Sequence, residues 1–212
     1  MNPEYFKFII MEKFIEKIKK VFKFRILRKK IVFILVAFVI FRAFASVPIP
    51  GIDISNLEQF FSQNQFLGLL NIFSGGGLSN LSLVMLGVGP YITGSIIMQL
   101  LTIMIPKLKA LYHEEGEAGK KRFTQYSRLL TLPLALLQGF AFLTLLQKQN
   151  IIGQLSTFDL VSNILIIAAG SIFLMWVGEL MTEFGIGNGI SLLIFAGIVA
   201  GLPSKMSQLL YT

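Results

Sequence analysis

A stretch of small and polar residues next to a long apolar run constrains this chain more than any other feature. Three consecutive glycines, residues 75–77, are followed closely by serine and asparagine. Each glycine costs a helix about 1 kcal/mol relative to alanine, and serine and asparagine favour turns and caps. The apolar run that follows, residues 81–104, still carries glycine, proline, threonine and glutamine. Because unsatisfied polar groups in hydrocarbon cost several kcal/mol, such residues are usually placed against protein or water. Residues 71–99 therefore predict a broken helix, a loose half-helix followed by a span that lines a pathway.

The composition places the chain in a membrane. Of its 212 residues, 54% are hydrophobic and 14% are charged, whereas charged residues make up about a quarter of a typical soluble domain. The lack of cysteine excludes disulfides, a thiolate nucleophile and a cysteine-ligated metal, and the single histidine cannot build a histidine-based metal site. The net charge of +8 comes from basic blocks beside apolar runs. That pattern indicates membrane topology rather than a nucleic-acid surface.

Five apolar runs predict an all-α, polytopic membrane helix bundle. Before them, residues 1–30 interleave Lys and Arg with Phe and Ile at near-helical spacing, which predicts a basic amphipathic helix on the cytoplasmic surface. A simple positive flank that orients the first span is the alternative. Residues 31–212 are the second predicted unit. Its spans are predicted at residues 31–46, 81–104, 129–146, 160–181 and 190–203.

The placement of charge orients these spans. Residues 47–80 contain no Lys or Arg, whereas Lys107, Lys109 and the basic residues of 120–128 follow the second span. By the positive-inside rule, residues 47–80 face away from the cytoplasm and the later loop faces it. An odd number of spans places the two ends of the chain on opposite sides, so a second copy would insert upside down. A unit with an odd number of spans is typical of inverted-repeat membrane proteins, whose pathway forms between two halves.

No group of residues predicts catalysis. His113 stands beside Glu114, Glu115 and Glu117, but these belong to a charged run in a solvated loop without a pocket. The GIGNG segment, residues 185–189, lacks the spacing and the context of a dinucleotide-binding loop. We therefore expect no enzyme activity, no cofactor and no metal site.

Six segments carry a resemblance to a known family. They are VPIPGID (47–53), NIFSGGGLSNLS (71–82), LGVGPYITGSIIMQLL (86–101), EEGEAGKKRFTQYSR (114–128), FLMWVGE (173–179) and TEFGIGNGISLLIFAGIVAGLP (182–203). In their order and spacing the chain resembles the SecY family, the channel subunits of the Sec protein translocase. The resemblance runs from about residue 31 to residue 203. It implies the N-terminal half of an inverted-repeat channel, five spans of ten.

The resemblance implies a ring of aliphatic side chains half-way through the membrane, which closes around the translocating chain. Its positions here are Val88 and Ile92 in the second span and Ile190 and Ile194 in the fifth. Each pair is spaced i, i+4, which places both members on one helical face. Aliphatic side chains exclude water and so seal against ions, yet they yield to any passing sequence because they form no specific hydrogen bonds. Lipid-facing or bundle-core packing is the alternative role for these residues.

The resemblance also implies a plug helix in the outer funnel, at residues 67–80. The glycines suit a segment that leaves and returns, because few buried apolar contacts mean a low free energy of opening. A disordered outer loop is the alternative. The plug residues are Phe73, Ser74, Gly75, Gly76, Gly77, Leu78 and Asn80.

A lateral gate towards lipid is implied in the same way, with contributions from the second and third spans. Its candidate residues are Thr93, Ile96, Ile97 and Gln138. Thr93 and Gln138 can hydrogen-bond across a closed seam and separate when a hydrophobic signal sequence competes for the surface.

The resemblance implies several partners. The predicted loop 114–128 faces the cytoplasm, where the family meets the ribosome or the SecA motor, and its candidate contacts are Lys120, Lys121, Arg122 and Arg128. The other implied partners are the C-terminal half of the channel, SecE-like and SecG-like small membrane subunits, polypeptides that bear a signal sequence, and the lipid bilayer. The expected location is the cytoplasmic (inner) membrane, with the N-terminus in the cytoplasm, in preference to the thylakoid membrane.

The function implied is a protein-conducting channel subunit that translocates unfolded secretory polypeptides and inserts hydrophobic helices into the membrane. Two alternatives stay open: half of an inverted-repeat small-solute transporter, and an isolated non-conducting half with a structural role. A transporter predicts a polar substrate site at the membrane midplane, where this sequence has mainly Val and Ile.

Overall fold

Six α-helices have both ends within the described part of the chain. The computed structural model describes residues 24–50, 71, 74 and 76–211, and of residues 202–211 it describes only the backbone. No strand occurs among these residues, and an isolated antiparallel bridge pairs Pro48 with Ser82. The predicted all-α fold is confirmed. The helices are α1 (Arg25–Ser46), α2 (Gly89–Met104), α3 (Pro106–His113), α4 (Gly116–Lys148), α5 (Thr157–Phe184) and α6 (Gly189–Tyr211).

Helix α1 begins earlier than the first predicted span. It starts at Arg25 instead of residue 31, so the last basic residues of the predicted N-terminal segment belong to the same helix. Residues 1–23 of that segment lie outside the described residues. The helix ends at Ser46 because a proline two residues later cannot continue it. Its buried residues are spaced i, i+4 and face α5: Ala37, Phe41 and Ala45.

The second predicted span is wrong over residues 81–88, which form successive turns instead of a helix. Leu81 and Gly87 have φ angles of 40° and 57°, which a right-handed helix cannot contain. Helix α2 starts only at Gly89, with Pro90 in its first turn, where the missing N–H of proline is not needed. The non-helical segment, predicted to end before residue 81, therefore extends as far as Val88.

Helices α2 and α3 form a sharply bent pair. Their axes differ by 112° at Ile105, which is extended, with φ −113° and ψ 108°, because a following proline disfavours the helical conformation. The sequence predicts a loop after α2, but the structure has this short helix. It is held by a small cluster of Met98 on α2, Leu111 on α3 and Phe123 on α4.

Helix α4 begins far before the third predicted span. It runs from Gly116 to Lys148, so most of the predicted cytoplasmic loop 114–128 is helical and continuous with the span at 129–146. The prediction of a loop is wrong there. Its small buried residues, such as Gly119 and Ser127, let α3 and α2 pack closely against this part of the helix.

Helices α5 and α6 contain the last two predicted spans and extend them. The hydroxyl of Ser156 caps α5 by accepting a hydrogen bond from the N–H of Asp159 at 3.2 Å. The side chain of Asn188 caps α6 in the same way, accepting from the N–H of Ser191 at 3.0 Å. The short turn between them, residues 185–188, brings the end of α5 and the start of α6 together.

Judged by length and composition, fewer helices could cross a membrane than the five spans that the sequence predicts. Among the described residues, α4 and α5 are long and apolar enough to cross alone, and the bent pair α2 and α3 adds a third if it is one span. The apolar part of α6, Gly189–Gly201, is shorter. Helix α1 carries Arg25, Arg28, Lys29, Lys30 and Arg42 among its apolar residues. The five-span arrangement stays a prediction.

Two buried clusters hold the bundle together. One joins Ile49, Leu81 and Met85 to the far end of α4 and to α5. The other joins α1, residues 84–88, α5 and α6. The broken segment 81–88 approaches α5 at Gly170, where a Cβ would overlap the carbonyl oxygen of Leu83. Only glycine allows the two backbones to lie this close.

Candidate functional site

A cavity of about 800 Å³ opens between α2, α4, α5 and α6. Ile92 on α2 and Ile190 and Ile194 on α6 give it an aliphatic part. Most of its other lining residues are polar: Tyr91, Ser95, Gln99, Tyr112, Lys120, Thr124, Ser127, Arg128, Glu179, Thr182, Glu183, Asn188 and Ser191. We call this cavity the funnel, the three isoleucines its apolar part and these polar residues its mouth.

The four predicted ring residues belong to one hydrophobic cluster. Val88 is buried, and Ile92, Ile190 and Ile194 pack partly buried against the same cluster. The three isoleucines also line the cavity. Two distant stretches of the chain thus contribute to one aliphatic surface, which agrees with the arrangement that the resemblance implies. Their role as a seal stays a prediction.

The geometry at Val88 differs from the expected one. Val88 is the N-cap residue of α2, with φ −91° and ψ 7°, rather than a residue inside a helix. Its carbonyl still accepts the first helical hydrogen bond, from the N–H of Ile92 at 3.1 Å. The prediction that both lie on one face of a continuous helix is therefore wrong for Val88, because the turns of residues 81–88 end there. Val88 is only 5% exposed and is not among the residues that line the cavity.

Ile190 is seated against α5. A Cβ on Gly178 would overlap the Cδ1 atom of Ile190 and would lie 3.2 Å from the Cδ1 atom of Leu193. Glycine at position 178 therefore provides the recess into which Ile190 fits. The far end of the Ile190 side chain, atoms Cγ1 and Cδ1, lies against α5, and the residue also lines the cavity.

An ion pair crosses the polar part of the funnel. The Nε atom of Arg128 on α4 donates to the Oε1 atom of Glu179 on α5. The side chain of Glu179 is 17% exposed and that of Arg128 is 45% exposed. Because a carboxylate this buried needs a partner, the pair fixes the spacing of α4 and α5 beside the cavity.

We expect removal of either partner to destabilise the chain. Arg128→Met leaves the carboxylate of Glu179 unpaired in a mostly buried position, and the expected loss is about 1–2 kcal/mol, because solvent screens part of the interaction. Thermal unfolding of the chain in detergent measures this loss. Lys121→Met is the control, since Lys121 is exposed on the same helix and its change should stay within about 0.5 kcal/mol. An equal loss in both variants would contradict the structural role of the pair.

The predicted gate residues lie on two helices that pack against each other. A Cβ on Gly94 of α2 would lie 3.2 Å from the carbonyl oxygen of Ser127 on α4. Ile96 is 50% exposed and lines the cavity, while Ile97 on α2 and Gln138 on α4 are half-buried.

The hydroxyl of Thr93 is already used within its own helix. It donates to the carbonyl oxygen of Gly89 at 3.0 Å. This structure therefore does not show the hydrogen bond across a seam that the sequence suggests for Thr93, because a threonine on a helix can bond the carbonyl one turn earlier. The gate assignment stays a prediction.

The basic residues expected on a cytoplasmic loop lie on α4 instead. Lys120, Lys121 and Arg122 are exposed, and Arg122 forms an ion pair with Glu115 at 3.5 Å. Lys120 and Arg128 line the cavity. The predicted contact surface is thus divided between the rim of the funnel and its interior. Its use by a partner stays a prediction.

The described plug residues are more firmly held than expected. The main-chain oxygen of Asn71 accepts hydrogen bonds from the N–H of Gly76 and the hydroxyl of Ser74, both at 2.9 Å. The side-chain oxygen of Asn71 accepts from the N–H of Ser79, also at 2.9 Å. Leu78 is 4% exposed, within the cluster around Leu81.

The expectation of few buried apolar contacts is therefore wrong for Ser74 and residues 76–80. Their polar side chains form hydrogen bonds within the turns that the glycines allow, and these turns place Leu78 in the core. Gly77 is buried, and the side-chain nitrogen of Asn80 lies 3.5 Å from the carbonyl oxygen of Ala45. Phe73 and Gly75 lie outside the described residues.

Two residues of the site were missed by reasoning from the sequence. Glu179 forms the ion pair with Arg128, and Thr182 joins α5 to α6 through its hydroxyl. An acidic residue within an apolar helix is a usable signal, because it requires a partner. Its partner, 51 residues earlier in the sequence, becomes recognisable only when the helices are packed. Within the described residues no group of His, Asp and Glu could hold a metal ion.

Comparison with known proteins gives a consistent result. A family model described as SecY matches residues 82–212. A protein translocase subunit SecY from Streptomyces galbus is 43% identical over 194 residues, covering 85% of this chain and 44% of the relative. The protein of the same name from Vibrio cholerae serotype O1 is 45% identical over 188 residues, covering 86% of this chain and 42% of the relative. The chain thus spans less than half the length of these relatives.

Solved structures show the same fold. A structure described as that of a protein conducting channel has a TM-score of 0.56 at 22% identity, covering 80% of this chain and 36% of that chain. Sec61 in the canine ribosome-channel complex from the endoplasmic reticulum gives the same TM-score, identity and coverage. At this identity the likeness concerns the fold alone.

Proposed function

Because this chain belongs to the SecY family, we propose that it forms the N-terminal half of a protein-conducting channel. In this function, unfolded secretory polypeptides cross the membrane through the cavity, and hydrophobic helices leave it sideways into lipid. The observation that carries the proposal is the funnel itself. Ile92 of α2 and Ile190 and Ile194 of α6 form its apolar part, next to the polar mouth. A complementary half supplies the opposite wall.

The apolar part of the funnel acts as the barrier to ions. Water and ions bind poorly to aliphatic side chains, so a narrow aliphatic passage empties of water when no polypeptide occupies it. A translocating chain displaces flexible isoleucine side chains without having to match specific hydrogen bonds. The channel therefore accepts many sequences. The seal depends on how closely the aliphatic side chains approach one another.

The polar mouth faces the cytoplasm in this proposal. Lys107, Lys109 and Lys120 belong to α3 and to the start of α4, close to the mouth. The positive-inside rule places such residues on the cytoplasmic side. The protein then lies in the cytoplasmic membrane with the start of α1 in the cytoplasm, where Arg25 and Arg28 also lie.

The segment 67–80 acts as the plug, and its described residues are held firmly in the closed state. Hydrogen bonds to Asn71 and burial of Leu78 hold it when the channel is idle. Opening has to break these contacts, which sets a free energy that an arriving signal sequence must supply. The glycines then provide the backbone freedom for the displaced state.

Partners complete the channel. We propose a C-terminal half, SecE-like and SecG-like membrane subunits, and a SecA motor or a ribosome at the cytoplasmic face. The exposed residues Lys121 and Arg122 at the start of α4 suit acidic surfaces or phosphates there. Thr93, Ile96, Ile97 and Gln138 form this half's side of a lateral gate, where signal-sequence-bearing polypeptides meet the lipid bilayer.

Complementation tests the proposal. The chain is expressed together with the remaining C-terminal segment of a SecY relative in bacteria depleted of their own SecY. We expect export of a secretory reporter to recover to at least about a tenth of the normal rate, because split membrane proteins reassemble through their helix contacts. Neither fragment alone should support export. Full insertion of both fragments without any export would contradict the proposal.

A further inference from the structure

We propose that Thr182 is a positioning residue of the ring, whose hydroxyl locks the start of α6 to the end of α5 and thereby holds Ile190 and Ile194 in the cavity wall. This inference rests on the proposed function, because it explains what keeps the seal closed. Thr182 lies in the polar part of the funnel and is not one of the aliphatic residues.

The hydroxyl of Thr182 joins two helices through two hydrogen bonds. Its Oγ1 atom donates to the carbonyl oxygen of Gly178 at 2.9 Å, one turn earlier in α5. The same atom accepts a hydrogen bond from the N–H of Gly189 at 2.8 Å. Gly189 is the first residue of α6. One side chain thus satisfies a free N–H at the start of α6, a group that otherwise has no partner in its own helix.

The two hydrogen bonds of the Thr182 hydroxyl lie directly beside a ring residue. Ile190 follows Gly189 in the chain, and its Cδ1 atom occupies the recess at Gly178. A Cβ on Gly189 would lie 2.8 Å from the backbone nitrogen of Thr182. The first turn of α6 is therefore pressed against one turn of α5, and the Thr182 hydroxyl fixes their register.

A local cap does not replace this contact. The side chain of Asn188 accepts from the N–H of Ser191 and thereby stabilises the first turn of α6 within that helix. It does not determine where α6 stands relative to α5. Without the Thr182 hydroxyl, the first turn of α6 can stay helical and still move away from Gly178. Ile190 and Ile194 would move with it, since both lie on the cavity face of that helix.

Two substitutions distinguish the effect of the Thr182 hydroxyl from the effect of the shape of the side chain. Thr182→Val keeps the branched shape and removes both hydrogen bonds, whereas Thr182→Ser keeps the hydroxyl. The chain contains no cysteine, so spin labels at Gln99→Cys and Ser191→Cys report the distance between α2 and the start of α6 in the full chain in lipid nanodiscs. Both positions are exposed and line the cavity.

We expect Thr182→Val to shift or broaden the distance distribution by at least about 2 Å, since an unlocked helix end moves on that scale, and Thr182→Ser to retain the original distribution. In the complete channel, Thr182→Val should raise ion leakage by about tenfold, whereas Thr182→Ser should not. If Thr182→Val does not accumulate, Thr182→Ala removes the same hydroxyl and undergoes the same measurements.

An unchanged distance distribution in the valine and alanine variants would overturn the inference. So would a changed distribution with unchanged leakage, provided that direct replacement of ring residues does increase leakage. If direct replacement of the ring residues leaves leakage unchanged, the proposed function fails instead. The distance measurement does not depend on that function.

Discussion

Replacing Ile92 and Ile190 together with glycine is expected to raise ion leakage through the idle channel by at least about tenfold. The substitution removes two of the four isoleucines that line the cavity. Without them, water can fill the passage and carry ions with it. A tenfold rise corresponds to lowering the barrier by only about 1.4 kcal/mol. The measurement is the conductance of the complete channel in a planar bilayer with no translocating chain present.

A matched control separates the loss of the seal from the cost of glycine in a helix. Leu100 and Val199 lie on the same two helices, α2 and α6, and are 56% and 41% exposed. Leu100→Gly combined with Val199→Gly adds the same helix penalty, about 1 kcal/mol for each glycine. Its leakage should remain at the wild-type level. Equal leakage in the two double variants, or none in either, would remove the basis for assigning the ring.

Gly170→Val is expected to be strongly destabilising, with a loss of about 2–4 kcal/mol. The new Cβ would overlap the carbonyl oxygen of Leu83, a backbone atom in the broken segment. A flexible side chain could move aside at small cost, but Leu83 contributes a backbone atom here. Its backbone is held in place because its N–H donates to the carbonyl oxygen of Val47 at 3.1 Å. The whole segment 81–88, which includes Val88, must therefore shift.

Unfolding of the chain in detergent, followed by circular dichroism during heating, measures this effect. Gly139→Ala is the control on the neighbouring helix α4, because its Cβ would lie 3.5 Å from Ile167, an ordinary contact. Alanine there should be neutral or stabilising by up to about 1 kcal/mol. A stability of Gly170→Val equal to wild type would show that segment 81–88 is not packed against α5 as described.

The overall fold class was predictable because it depends on composition and on the long apolar runs. Hydrophobic residues that cannot be covered in a chain of this length have to face lipid, and helices satisfy their own backbone hydrogen bonds there. The ends of the helices were less predictable. Helix α4 continues through the charged residues 116–128, since lysine, arginine and glutamate are good helix formers and nothing in that segment stops the helix.

The broken segment shows where local propensity becomes insufficient. The glycines of residues 75–77 predicted a loose segment before residue 81, but the extent of the turns depends on a segment more than thirty residues earlier in the sequence. The N–H of Ile49 donates to the carbonyl oxygen of Leu81 at 2.8 Å, and the N–H of Leu83 donates to the carbonyl oxygen of Val47 at 3.1 Å. This pairing keeps residues 81–83 out of a helix. The turns bury Leu81 completely.

The plug and the ion pair show the same limit for the candidate site. The glycines of residues 75–77 predicted a loosely held segment, yet the side chain of Asn71 and the burial of Leu78 hold its described part. The apolar ring stays a prediction from the resemblance, and three of its four residues line the cavity. The Arg128 and Glu179 pair was not, because no local pattern connects residues on two different helices.

The most direct test of the channel is whether a translocating polypeptide touches the ring. The chain lacks cysteine, so Ile92→Cys or Ile190→Cys in the complete channel introduces a unique thiol into this half. A secretory polypeptide stalled during translocation and carrying a thiol-reactive crosslinker should form an adduct with either variant. Leu100→Cys, which is exposed outside the cavity lining, should form none. Adducts with Leu100→Cys but with neither Ile92→Cys nor Ile190→Cys would contradict a pathway through the funnel.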